Sequence, residues 1–342
     1  MRRYLGVWLL GLCGQVHAEL HALDDAQLAD VQGAGIGLVL ENVLMDASQS
    51  TIFIDGITNA GGQNVPIAVK EFYLGATGSH LGANLAPVTL GRLNHPFEIN
   101  LAKGEALRSL RDDGQWVQTT PSDIAVLEFR FPERLIGAGG QPCIGGFAAA
   151  GTNCSSRASE KVDLGIRFDF QVAAGRAEVM NIDIGELAMD GSYLRLWGDG
   201  TRAQLVGEAR LNLFAKGIQL TSCATGSTGC ATAAEQTGKS IFFSNSYASI
   251  ALGYGKSQPL LFDVDSNGQF ILELPNPVAS GTTAAQRNAL AADFYANAPR
   301  THLVIDSLKT GTGILSSGGY NFGRSEVSGM SFNYLKVTSR DL

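Results

Sequence analysis

No stretch of this sequence reaches the roughly 20 apolar residues that a membrane-spanning helix needs; Glu, Lys, Asp or Gly interrupts every apolar run. Basic clusters are missing too. With 25 Lys and Arg against 32 Asp and Glu, the chain is a poor match for nucleic acid, where phosphate neutralisation dominates affinity, and for docking on anionic lipid. Catalytic signatures are absent: there is no G-x-S-x-G elbow and no H-E-x-x-H. Gly33-Ala34-Gly35-Ile36-Gly37 has the wrong glycine spacing for a dinucleotide loop and precedes a strand pattern. His21, His80, His95 and His302 are spread along the chain, so a Ser-His-Asp site would have to be assembled in space. These absences leave no catalytic residues to nominate, and no enzyme is expected.

The first residues read as a secretory signal. Arg2 and Arg3 form a basic start, Tyr4–Cys13 is apolar, and Val16-His17-Ala18 supplies a cleavage site before Glu19. Residues 1–18 are expected to be removed, and the mature chain to work outside the cytoplasm, in the periplasm, at the outer membrane surface or beyond. Cleavage takes two basic residues and leaves 23 against 32 acidic ones, a net charge of −9. Four cysteines remain. Cys143 and Cys154 enclose a Gly/Ala-rich segment, and Cys223 and Cys230 enclose ATGSTG. An even count in an exported chain reads as disulfides. Local pairing, Cys143–Cys154 and Cys223–Cys230, is preferred among three connectivities. A four-cysteine zinc site lacks its short C-x₂₋₄-C knuckles.

Glycine is frequent, at 42 residues, and separates many short runs of Val, Ile, Leu, Phe and Thr. That is a strand-and-turn pattern. In Leu164–Val172 the apolar Ile166, Phe168, Phe170 and Val172 alternate with Arg167, Asp169 and Gln171. Period-two alternation predicts one buried apolar face and one wet polar face. Two segments invite helices. Leu23–Gln32 carries Asp24 or Asp25 at its start, and Thr283–Asn297 has the Thr283/Gln286 capping-box spacing with Pro299 beyond its end. The expected fold is all-β, an antiparallel sandwich or jelly-roll with one or two short peripheral helices. The alternatives are a β-solenoid or a curled lipid-binding sheet. Residues 19–37 read as a helical segment and junction, and 38–342 as the β-rich domain. Gly137–Ser159 is either a boundary within that domain or a disulfide-closed loop.

Glu19–Leu38 (ELHALDDAQLADVQGAGIGL) has a Leu-Asp-Asp segment, Leu28 and Val31 three apart, and a Gly-rich exit into a strand. It resembles the start of the FilA-type pilus-system proteins of Gram-negative bacteria. The closing Gly329–Leu342 (GMSFNYLKVTSRDL) is similar to their ends. The likeness covers the two ends of the chain and the middle only in character. It implies an exported, β-rich surface or pilus-associated protein, and it brings no catalytic residues. Against a chaperone-assembled pilin stand the chain's length and Asp341 at the next-to-last position, where such subunits carry an aromatic.

The sharpest local motif is Asp263-Val264-Asp265-Ser266-Asn267-Gly268-Gln269-Phe270. Its order matches the first half of an EF-hand loop, which makes Asp263, Asp265, Asn267 and Gln269 candidate ligands for a weak calcium site. The twelfth position holds Leu274 instead of a bidentate carboxylate, and Asn-Gly between two apolar runs is equally a hairpin signal. No other cofactor is expected. Trp116, Tyr193, Trp197, Tyr254, Tyr320 and Tyr334 are candidates either for a carbohydrate platform or for the rims of sheets. The sequence therefore reads as a non-catalytic surface or pilus-associated protein acting in adhesion or assembly, with other surface or pilus-system proteins as partners. The alternative is an envelope carrier of lipid or another hydrophobic ligand. Nothing in the sequence identifies the ligand-binding residues.

Overall fold

A computed structural model describes residues 35–79, 85–90, 96–110, 116–132, 156–157, 160–161, 164–174, 176–224, 226–227, 229–230, 232 and 234–339. The expected signal segment, the helix expected over Leu23–Gln32, and Cys143 and Cys154 lie outside the described residues. The strands run in chain order as β1 (Ile36–Leu38), β2 (Leu40–Val43), β3 (Met45–Ala47), β4 (Ile52–Ile54), β5 (Ile67–Ala76), β6 (Val88–Leu90), β7 (Phe97–Lys103), β8 (Ser109–Leu110), β9 (Trp116–Val117), β10 (Ala125–Arg130), β11 (Ser156–Arg157) and β12 (Glu160–Lys161). They continue as β13 (Leu164–Ala174), β14 (Arg176–Ala188), β15 (Tyr193–Asp199), β16 (Gln204–Ser222), β17 (Lys239–Leu252), β18 (Leu260–Val264) and β19 (Phe270–Leu274). After the helix α1 (Ala284–Asn297) come β20 (Thr301–Thr312), β21 (Tyr320–Asn321), β22 (Ser325–Met330) and β23 (Leu335–Thr338).

The fold is all-β and antiparallel throughout the described residues, as the alternation predicts. Among the described residues there are no parallel coils of a β-solenoid. One large sheet joins seventeen of the strands, and it is organised about β16. The first half of β16 pairs with β15 and the second half with β14, end to end along one edge. Along the other edge lie β17 and, at Val206 and Gly207, β18. Four arms leave this spine: β14–β13–β5, β15–β10–β7–β1, β17–β20–β22 and β18–β19–β23. The arms wrap as in a barrel, yet no register joins their ends, so the sheet stays open.

The face assignment reverses the sequence expectation. Arg167 and Asp169 are buried at 6% and 1% exposure, whereas Ile166, Phe168 and Phe170 are half-buried and Val172 is exposed. The reason is coverage. Polar turns lie against the charged face and satisfy it, while the apolar face carries no comparable layer among the described residues. Directly opposed residues form apolar rows on that outer face. One row is Phe168, Ile182, Leu220 and Ile241; the next is Ile166, Ile184, Ile218 and Phe243. A second panel holds Ile99, Phe129, Leu194, Ala209 and Leu252, with Leu213, Ala248, Leu303 and Val327 nearby. Between the panels the ladders are interrupted where Glu186 and Asn245 adopt φ of 47° and 44°. There Lys216 pairs with Glu186 at 2.6 Å, and Asn245 donates to Asp306.

The inner face also holds a conventional core. Leu107, Val126, Trp197 and Val206 pack together, flanked by Ala102, Ile124 and Leu261; each fully buried side chain of this size contributes about 1.5–3 kcal/mol. Helix α1 starts as the sequence predicts. The Thr283 hydroxyl accepts from the Gln286 amide, and the Gln286 side chain accepts from the Thr283 amide. Phe294 is its buried anchor, packed edge-on against Tyr254.

Tyr73 belongs to the same inner face, 1% exposed, its hydroxyl donating to Glu71 at 2.9 Å. Burial pushes its phenol up to about 12; a hydrogen bond with Ser48 opposes this, and Glu71 and Asp46 add to it. The folded state therefore holds this proton more tightly than the unfolded chain. The resulting stability is present below pH 10 and is lost as pH rises through about 12. Ultraviolet titration of the folded protein should show a late phenolate step near that pH, which Tyr73→Phe removes.

Candidate functional site

Three neighbouring strands place Glu128, Arg195 and Glu208 directly opposite one another on the inner face. Each is 2% exposed. Unpaired, an ionised group in such a place costs several kcal/mol, so the partners decide whether the fold tolerates it. Arg195 Nε donates to Glu128 Oε1 at 2.8 Å and Nη1 to Glu208 Oε1 at 2.9 Å. Further donations reach the Ser109 hydroxyl at 2.7 Å and the Arg108 carbonyl at 2.8 Å. Thr119 Oγ1 and the Gly255 amide donate to Glu208 at 2.8 and 3.2 Å. The guanidinium also sits 4.0 Å from the centre of the Tyr193 ring.

Electrostatics follow from this packing. Desolvation works against the Arg195 charge, but Tyr193, Glu208 and Glu128 outweigh it and raise the pKa, so the guanidinium stays ionised. Burial, reinforced by Glu208, pushes the Tyr193 phenol up. One guanidinium serves two carboxylates, and the Thr119 hydroxyl and Gly255 amide help satisfy the excess negative charge in a site closed to solvent. Its chemistry is that of a cross-strand clamp: no substrate atom can reach these groups without opening the sheet.

A second ladder crosses β13, β14, β16 and β17 through Asp169, Asn181, Thr221 and Ser240. Asp169 accepts from Asn181 Nδ2 at 2.8 Å and from the Cys230 amide at 2.7 Å. Arg167 and Gln236 donate to the Cys230 carbonyl at 2.7 and 3.1 Å. Cys223 and Cys230 form the disulfide expected from their spacing, and the loop it closes is the layer that satisfies this ladder. Asp169 and the two sulfurs lie within 4.8 Å of one another. The sulfurs are bonded to each other, so they offer no thiolate to a metal. Opening this crosslink should cost about 2–3 kcal/mol, from the loop-entropy relation. Urea denaturation of the paired Cys223→Ser, Cys230→Ser variant against the oxidised protein measures it.

The other residues singled out in the sequence do not converge. Asp263, Asp265, Asn267 and Gln269 fall at the β18–β19 hairpin. There Asp265 Oδ1 already accepts from the Asn267 and Gln269 amides at 2.8 and 2.9 Å, and Asp263 Oδ1 accepts from the Val264 amide. These carboxylates shape the turn. The aromatic candidates separate as well. Tyr193 and Trp197 are on the inner face, Tyr254 packs on Phe294, and Tyr320 and Tyr334 are exposed. The described side chains among them form no common platform, and the Trp116 side chain lies outside the described residues. His302 is buried, its Nδ1 facing the Gly329 amide at 3.3 Å.

Sequence reading missed Glu128, Arg195 and Glu208. Each lies in a strand whose alternation is correct, but alternation alone does not say which side is wet. The feature left for interaction is the pair of apolar panels that no described residue covers. No protein-family model, curated protein or solved structure matches the chain.

Proposed function

We propose that the chain is an exported, non-catalytic envelope protein that associates at the cell surface, in adhesion or in a pilus system, through the outer apolar panels of its sheet. One observation carries this reading. Cross-strand rows free of charged residues lie on one side of the sheet, while on the other side Glu128, Arg195 and Glu208 are engaged with one another in a buried cluster. Contiguous, partly exposed apolar surface of this kind marks an interaction site. A charge cluster buried this deeply, its groups bonded to one another, is poorly placed to act as a general acid or base. The signal-like start and the resemblance at both ends point to the same compartment.

Fractionation of the native host tests the reading, combined with protease treatment of intact cells. The expected result is a processed chain starting at Glu19 in the surface fraction and open to protease. A chain found only free in the periplasm, or retaining Met1 in the cytoplasm, overturns it. The triple variant Phe168→Ser, Ile182→Ser, Leu220→Ser should leave the surface fraction while still unfolding cooperatively, at a lower midpoint than the parent because these side chains are half-buried.

A further inference from the structure

We propose that the cavity beside Gly217 binds a small monocarboxylate with a short apolar tail, seated by Arg167. The cavity measures about 420 Å³, within the range of small-molecule sites. It lies on the inner face, between the Thr77–Gly78 turn, Gln236 and the Ile314–Ser316 segment. Its space comes from missing side chains. Gly185 and Gly217 are opposed in register and form the floor. A Cβ on Gly185 would fall 2.8 Å from Thr77 Cγ2, and one on Gly217 would fall 3.1 Å from the Phe242 ring.

Arg167 supplies the recognition. Its side chain is only 7% exposed, yet it lines the cavity. A guanidinium carries five N–H donors. Here one donation, to the Cys230 carbonyl at 2.7 Å, is made at full strength, and Asp183 stands off at 3.9 Å. A fork of this kind matches a carboxylate bidentately. Phe242 and Ile314 offer the apolar wall for a tail. Lys309, 5.7 Å from the Phe242 ring centre, adds positive charge on that side. Lys216 contributes little, because Glu186 already holds it at 2.6 Å. The Asp183 and Glu186 carboxylates on the lining repel a dianion, which favours a singly charged head over a phosphate.

Isothermal titration of the full chain with octanoate, acetate and octylammonium tests this site, independently of the surface reading above. Saturable octanoate binding is expected, with acetate at least tenfold weaker and octylammonium not bound. Arg167→Met should weaken octanoate at least tenfold, and Phe242→Ala should weaken octanoate while leaving acetate unchanged. Absence of saturable octanoate binding overturns the proposal, as does equal binding of octylammonium. So does an Arg167→Met protein that folds and binds octanoate like the parent. Should that variant fail to fold, having lost the Cys230 contact, Phe242→Ala decides: unchanged octanoate affinity there overturns the site.

Discussion

Arg195→Met should destabilise the protein by about 3–5 kcal/mol at pH 7, a loss of the order seen when one partner is removed from a buried ion pair. The methionine fills much the same space, so the cost is electrostatic. Glu128 and Glu208 stay in a water-free site, deprived of the guanidinium that reaches both at 2.8 and 2.9 Å. Against a total stability of about 5–15 kcal/mol for an ordinary domain, that is a large share. Urea denaturation provides the measurement, and one control isolates the cause. In the triple variant Glu128→Leu, Arg195→Met, Glu208→Leu most of the loss should be regained, since apolar replacements of a complete buried network are often neutral. If the single and triple variants prove equally unstable, the electrostatic account fails and packing around Tyr193 is responsible.

Gly255→Ala should cost about 2–4 kcal/mol, combining left-handed backbone strain with overpacking. Gly255 sits at φ +50°, and a Cβ there would lie 1.6 Å from the Thr119 carbonyl oxygen. Backbone cannot swing aside as a side chain can, so the two segments must separate. Both serve the buried ladder: the Gly255 amide and the Thr119 hydroxyl donate to opposite oxygens of Glu208. Separation therefore exposes the carboxylate clamp as well as straining the turn. Gly268→Ala is the matched control. It has φ +80° with nothing within 4 Å, so it bears the backbone cost alone, about 1–2 kcal/mol. Thermal unfolding of the two variants side by side should show Gly255→Ala melting well below Gly268→Ala. Equal melting temperatures would mean the Thr119 contact relaxes freely.

Local chemistry was legible in the sequence to the extent that it is short-range. Alternation in Leu164–Val172 marks a strand because side chains on extended backbone point to opposite faces. Thr283 and Gln286 mark a helix start because capping involves atoms three residues apart. Cys223 and Cys230 pair because seven positions of Gly/Ser/Thr-rich chain bring their Cα atoms to 5.4 Å. The Asn-Gly turn at Asn267–Gly268 likewise closes the β18–β19 hairpin, and its carboxylates are engaged by their own amides.

What the sequence could not supply is long-range. Arg167 and Asp169 read as the solvent side, because a charged residue in one strand carries no information about the turn that will cover it. The Cys230 loop lies some sixty positions downstream and provides the amide and carbonyl that make their burial tolerable. Glu128, Arg195 and Glu208 become a clamp only when β10, β15 and β16 align in one register, and a one-residue slip would send the charges to the opposite face. Local sequence by itself determined that this chain forms alternating antiparallel strands with a capped helix and a stapled loop. Tertiary structure alone decided which face is covered, since burial of a charge depends on partners that only the folded chain brings within hydrogen-bond reach.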